Sequence, residues 1–175
     1  FTTVSGAQAP NEALRIPADA RISTELGGDI ALSNNGSIHI EGKLAARGGD
    51  ISLRSLPFGS FGHLPDRGIW LGSNSRIDTA ADTIIETRDD LGRITNLRTL
   101  DAGSLSIDAG SGFIVAMPGA EIDVSGTFGT VFFTRDEADS RAPIVASADI
   151  GADAGSVNLV AASGIQFFAD MDASA

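Results

Sequence analysis

The sequence predicts an all-β fold: a right-handed three-sided parallel β-helix of about five circuits, with residues 1–175 as a single segment. Three observations carry this. Between Gly103 and Gly126 lie three short apolar triplets, Leu105-Ser106-Ile107, Phe113-Ile114-Val115 and Ile122-Asp123-Val124, separated by Gly, Ser, Pro or Ala. A small residue followed by apolar-x-apolar recurs as GGDIAL (27–32), GGDISL (48–53) and AGSVNL (154–159). Gly28 and Gly49 stand 21 residues apart, the length of one circuit. A fixed period with one supersecondary unit per repeat marks a solenoid.

In each triplet residues i and i+2 share a face, because side chains alternate along a strand. A helix would need apolar residues at i, i+3, i+4 and i+7, which this stretch lacks. Strands of three residues cannot bury their apolar sides alone, so copies must stack above and below them. The first circuit is partial, with Leu14 to Ile16 on the second side and Arg21 to Ser23 on the third. The second runs from Gly27 to Arg47, with Asn34-Asn35-Gly36 as a corner suited to left-handed backbone. The third opens at Ile51 to Leu53, is interrupted over 54–68, resumes at Ile69 to Leu71 and closes with Ile77 to Thr79. The stretch around Leu105 is the fourth, and a fifth begins at Gly155.

Two longer interruptions, 80–101 and 127–153, read as hairpins. The first has strands at Thr83 to Thr87 and Arg93 to Leu97, and the second at Thr130 to Thr134 and Pro143 to Ser147. Both leave after the third side of neighbouring circuits, so they are expected to pack as a small outlying β lobe. Alternation also assigns the core. Ile30, Ile51, Leu105 and Val157 form one inward ladder, and Ile38, Ile69, Phe113 and Ile165 a second.

Composition narrows the function classes. The net charge of −11 argues against a nucleic-acid partner, which would need a Lys/Arg surface for counterion release. With no Cys there is no disulfide or thiolate metal site. No apolar run approaches the roughly 18–20 residues of a membrane span. The chain opens at Phe1 with no Met and no recognisable cap, from which we expect a piece of a longer chain.

Two constellations deserve weighing against plainer readings. Asp78 and Asp123 fall at equivalent outward positions of successive circuits. Stacked carboxylates suit an acid/base pair or Ca²⁺, with Arg76 as the expected counter-charge. The plainer reading has them hydrogen-bonded to their own turns or in water. Trp70 points outward, with Ile114 expected beside it, and two such apolar groups need a cover or a ligand. Leu56, Phe58, Phe61 and Leu64 of the first interruption would cover the indole; left open, Trp70, Ile114, Phe58 and Phe61 would form a sugar-binding surface. GGD at 27–29 and 48–50 lacks the third Gly and the tandem copies of calcium-binding nonapeptides. His39 and His63 are isolated, so neither metal nor cofactor is expected, and no nucleophile elbow, Walker loop or dinucleotide fingerprint occurs.

The repeated step, with PGAEIDVSG at Pro118 to Gly126 and GSNSRIDT at Gly72 to Thr79, resembles the filamentous haemagglutinin family of large bacterial exoproteins. The likeness is to the branch whose β-helix carries periodic hairpins, and it covers most of the chain from Ala18 onward. It implies export through an outer-membrane transporter pore and a place outside the cell or on its surface. It further implies flanking circuits of a longer chain and adhesion to a host or bacterial receptor or glycan. The family's amino-terminal secretion motif is not visible, which implies a middle or later piece. Repeat grammar specifies architecture and not chemistry, so no catalytic or ligand residue carries over. The expected function is a structural or adhesive shaft segment and not an enzyme. The alternatives are a carbohydrate-active β-helix enzyme of lyase or hydrolase type and a glycan-binding module built from the insertions. The outward first-side residues Ala31, Ser52, Ser106 and Asn158 are unreactive, which disfavours the enzyme.

Overall fold

A strand of three residues leaves its backbone N–H and C=O groups open on both edges. This chain closes them by pairing each such strand with its counterpart one repeat away. The computed structural model describes residues 2–4, 13–56, 67–88, 94–135 and 144–175. Among these residues there is no helix, and the strands fall into five rungs. The first rung holds β1 (Thr2–Val4), β2 (Leu14–Ile16) and β3 (Arg21–Ser23), and the second β4 (Ile30–Asn34), β5 (Ile38–Ile40) and β6 (Lys43–Ala45). The third holds β7 (Ile51–Ser55), β8 (Gly68–Leu71) and β9 (Arg76–Asp78), followed by a hairpin of β10 (Asp82–Arg88) and β11 (Ile94–Leu100). The fourth holds β12 (Leu105–Asp108), β13 (Phe113–Ala116) and β14 (Glu121–Asp123), followed by a hairpin of β15 (Thr127–Arg135) and β16 (Ile144–Ala152). The fifth is β17 (Val157–Val160), β18 (Gly164–Phe167) and β19 (Asp170–Asp172). Three five-stranded parallel sheets take these strands in rotation, in the orders β1-β4-β7-β12-β17, β2-β5-β8-β13-β18 and β3-β6-β9-β14-β19.

Register carries the core from rung to rung. Ile30, Ile51, Leu105 and Val157 are aligned in the first sheet, with Ala31, Ser52, Ser106 and Asn158 between them on the outer face. In the third sheet Ile22, Leu44, Ile77 and Ile122 align. These rows and those of the second sheet converge on one buried cluster. The second sheet corrects the expected ladder. Phe113 is paired with Gly68, and Ile114 with Ile69, so the inward row is Leu14, Ile38, Ile69, Ile114 and Ile165. Ile114 is 0% exposed, and Phe113 lies on the outer face. The cause is the preceding corner. Leu32 and Ile38 are separated by residues 33–37, whereas Ile107 and Ile114 are separated by 108–113, one residue more. In the fifth rung the same rows meet solvent on one side, and Ile165 is 44% exposed.

The Gly-Asp step of the repeat has a physical origin in close stacking. A Cβ on Gly49 would overlap the Gly28 carbonyl, one on Gly103 that of Gly49, and one on Gly155 that of Gly103. The Gly before it serves a different need: Gly27 and Gly48 have φ of 75° and 67°, which side chains resist. The Asp clamps neighbouring rungs. Asp29 Oδ1 accepts from Asp50 N at 2.9 Å, and Asp50 Oδ1 from Ser104 N at 2.7 Å.

Both hairpins are longer than the sequence indicated and are antiparallel. They touch: β11 lies against β15 and β16, and Thr99 Oγ1 donates to the Gly151 carbonyl at 3.1 Å. Their bases belong to the rungs. Ala80 and Ala81 are buried, Gly48 N donates to the Ala80 carbonyl, and Ala81 N donates to the Ser125 carbonyl. The strands β1 and β19, unnoticed in the sequence, complete the first and third sheets at opposite edges.

Candidate functional site

The outer face of the second sheet carries Trp70. Its aligned neighbours are His39 on one side and Val115 on the other, not Ile114, whose side chain is inside the core. The indole and the His39 imidazole stack, 4.7 Å between centroids and 14° between planes. The ring also lies back along its own strand, since a Cβ on Gly68 would stand 3.0 Å from Trp70 Cη2. One indole face is therefore occupied by a protein ring, and the tip rests on backbone. A sugar stacking on Trp70 needs a free face flanked by polar groups, and the His39 contact removes one. Phe58, Phe61 and Leu64, the expected cover, lie outside the described residues, as does His63. Leu56 is exposed. Burial holds the His39 imidazole below its ordinary pKa; the Arg15 guanidinium lowers it further, and the Glu41 carboxylate opposes them.

The outer face of the third sheet brings Asp78 and Asp123 together as aligned partners, with Asp172 next in the row. Each carboxylate folds onto its own turn. Asp78 Oδ1 accepts from Ala80 N at 3.1 Å, and Asp123 Oδ1 accepts from Ser125 N at 3.0 Å and Ser125 Oγ at 2.6 Å. Asp172 repeats the arrangement with Ser174 N and Oγ, and these bonds hold its carboxyl below the usual range. The expected counter-charge is corrected: Arg76 pairs with Glu121, while Asp78 faces Arg47 Nε at 3.7 Å. Arg47 also reaches Asp82 at 2.9 Å and the Ala81 carbonyl, tying the base of the first hairpin to the rung below. Among the described residues no three His, Cys, Asp or Glu side chains converge to hold a metal. Beside these carboxylates runs a groove of about 220 Å³ lined by Arg21, Lys43, Arg76, Glu121, Asp78 and Asp123.

A third feature went unnoticed in the sequence. On β15, Phe128 and Phe132 are 76% and 69% exposed on one face of the second hairpin. Their cross-strand partners are Gly151 and Ser147, and between them Thr130 Oγ1 donates to Asp149 Oδ1 at 2.7 Å. The signal was there, in aromatic residues at i and i+4 opposite small ones. It lay within an insertion read only for its strand pattern. No family model, curated protein or solved structure matches this chain.

Proposed function

We propose that the chain is a segment of a right-handed three-sided parallel β-helix, and that it serves as a structural or adhesive shaft in a large secreted bacterial exoprotein. On this reading it resembles the filamentous haemagglutinins. It is exported through an outer-membrane transporter pore, lies on the cell surface or outside it, and presents loops or further domains to a host or bacterial receptor or glycan. The observation that supports it is the rotation of consecutive strands through three parallel sheets, each step in register with the last. Such an arrangement grows by adding rungs, each resting on its neighbours. Flanking circuits of a longer chain would cover the inward rows that meet solvent at Ile165 and Met171.

The carboxylates support the same reading over an enzymatic one. Asp78 and Asp123 each bond a backbone N–H of their own turn, and the outward carboxylate of the first sheet, Asp108, accepts from Gly110 N and pairs with the aligned Arg54 at 3.4 Å. Antibodies against the chain should label intact producing cells and lose the label when the transporter pore is deleted. Labelling only after the cells are broken open would sink the proposal. Acidic polysaccharides incubated with the chain should yield no unsaturated products, and their appearance would establish the lyase reading instead.

A further inference from the structure

The outer face of the third sheet has an unusual order of charge. Down its first row, in register, run Arg21, Lys43, Arg76, Glu121 and Asp170. Down the second run Ser23, Ala45, Asp78, Asp123 and Asp172. Aligned like charges stand only ~4.8 Å apart on adjacent parallel strands and repel. Evenly mixed signs would relieve this, yet here the cations occupy the early rungs and the carboxylates the late ones. Only the junction is compensated within the sheet, by Arg76 with Glu121. Arg21 and Lys43 are in no ion pair among the described residues.

We propose that this face pairs with the same face of a second copy, side by side and with the stacking direction reversed. A two-fold axis parallel to the strands, in the plane between two such faces, sets the first rung against the fifth and the second against the fourth. Arg21 then faces Asp170 of the other copy, and Lys43 faces Glu121. At the centre Arg76 faces Arg76 and Asp78 faces Asp78. Each Arg76 is partly neutralised by its own Glu121 and lies diagonal to Asp78 of the other copy, two residues along the strand or about 6.6 Å, within reach of an Arg side chain. Size matches as well as sign. Ser23 and Ala45, the small members of the second row, are opposed by Asp172 and Asp123, so the longer side chains meet open space in the groove. Such a contact is isologous and closes as a dimer. Reversing the strands instead would set Glu121 against Asp123 and Asp170 against Asp172, leave Arg21 and Lys43 facing Ser23 and Ala45, and so make more repulsive contacts than attractive ones.

A face five short strands deep is small beside the ~800 Å² per partner of a stable interface, so the pairing is weak for this chain alone. The net charge of −11 also opposes it at long range. Association is therefore expected at about 0.15 M salt, where distant repulsion is screened but contacts at hydrogen-bond distance persist. It should be lost near 1 M, where the Debye length falls to about 3 Å.

Sedimentation equilibrium of the chain at millimolar concentration tests this, with Arg21→Asp, Asp170→Arg and the double variant. Each single variant is expected to weaken dimerisation by about tenfold, and the double to restore it, because each exchanged residue faces the other across the axis. Generic self-repulsion gives a different pattern: Asp170→Arg, which reduces the negative charge, would strengthen association instead of weakening it. That pattern, or a parent that stays monomeric at 0.15 M salt, overturns the proposal. Both positions are exposed, so unchanged circular dichroism in the variants separates lost pairing from lost folding.

Discussion

The imidazole of His39 and the indole of Trp70 lie face to face across two neighbouring strands, 4.7 Å apart. Adjacent parallel strands are separated by ~4.8 Å, so the stack is set by the sheet spacing itself. It gives the outer face of the second sheet a proton-sensitive reporter. The folded chain holds His39 below its ordinary pKa through burial and Arg15, with Glu41 in opposition. The unfolded chain therefore takes up its proton first, near pH 6.5, and binds more protons in the window below that value. Stability must rise with pH across the window and fall as pH drops through it. Urea midpoints followed by Trp70 emission should decline from pH 8 to pH 5 more steeply in the parent than in His39→Phe. Equal slopes would mean that His39 does not contribute.

The inward row of the second sheet gives a sharper test of register. Ile114→Ala removes a fully buried side chain and should cost about 2–5 kcal/mol. Phe113→Ser, one residue away on the outer face, should cost about 1 kcal/mol, from loss of the ring's contact with Gly164. Leu105→Asp should abolish folding while Ser106→Asp leaves it intact, because only the first places a charge in the core. A larger loss from Phe113→Ser than from Ile114→Ala would reverse the assignment.

These residues also show what was legible in the sequence. Where apolar and polar residues alternate, as in Ile30-Ala31-Leu32 or Leu105-Ser106-Ile107, the face is written in the pattern, and the first sheet was assigned correctly. Phe113-Ile114-Val115 is apolar throughout, so alternation is silent there, and the phase depends on corner length. The corner holds one residue more than its counterpart between Leu32 and Ile38. The pairing of Asp78 with Asp123 was likewise readable from the repeat. The partner of Arg76 was not, because it lies along the stack in Glu121 and not along the strand in Asp78. The His39 contact with Trp70 needed register across rungs 31 residues apart, which a pattern within one strand does not contain.

The corner glycines offer a third test. Gly48 has φ of 67°, and a Cβ there would lie 2.9 Å from Leu100 Cβ, where the first hairpin returns to the rungs. Gly48→Ala should lose about 1–2 kcal/mol from backbone strain alone, plus a steric part. Leu100→Ala leaves the Leu100 Cβ in place but removes the branch that a Cβ on Gly48 would meet at 3.1 Å. In a double-mutant cycle by urea denaturation, the cost of Gly48→Ala should therefore shrink in the Leu100→Ala background. Strict additivity would show that Leu100 exerts no pressure on this corner.

The hairpin base predicts how much of the insertion is dispensable. Replacing Thr83 to Thr99 with a short Gly-Ser link retains buried Ala80 and Ala81 and the Arg47 contact with Asp82, and should leave the β circular dichroism signal unchanged. Removing all of 80–101 deletes the carbonyl that accepts from Gly48 N and the N–H that bonds Ser125. It should lower the thermal midpoint well beyond the shorter deletion. Equal midpoints would place the boundary of the rung before Ala80.

The last prediction concerns the exposed face of the second hairpin. Phe128 and Phe132 stand four residues apart on β15, a distance of about 13 Å along the strand. Gly151 and Ser147 opposite them are too small to shield the rings. Two large aromatics left in water gain nothing for folding, so replacing them should leave stability within about 0.5 kcal/mol. On the adhesive reading proposed above, exposed apolar surface outside the core is the candidate contact, and among the described side chains these two are the most exposed large apolar ones. Phe128→Ser with Phe132→Ser should therefore reduce binding of the chain to target cells without moving its thermal midpoint. The Thr130–Asp149 bond between them fixes the face, and Thr130→Val should weaken binding less than either Phe change. Binding would be scored by flow cytometry of cells incubated with labelled chain. Undiminished binding by the double Phe variant would move the adhesive surface off this hairpin. A fall in midpoint would mean that the rings are packed in solution.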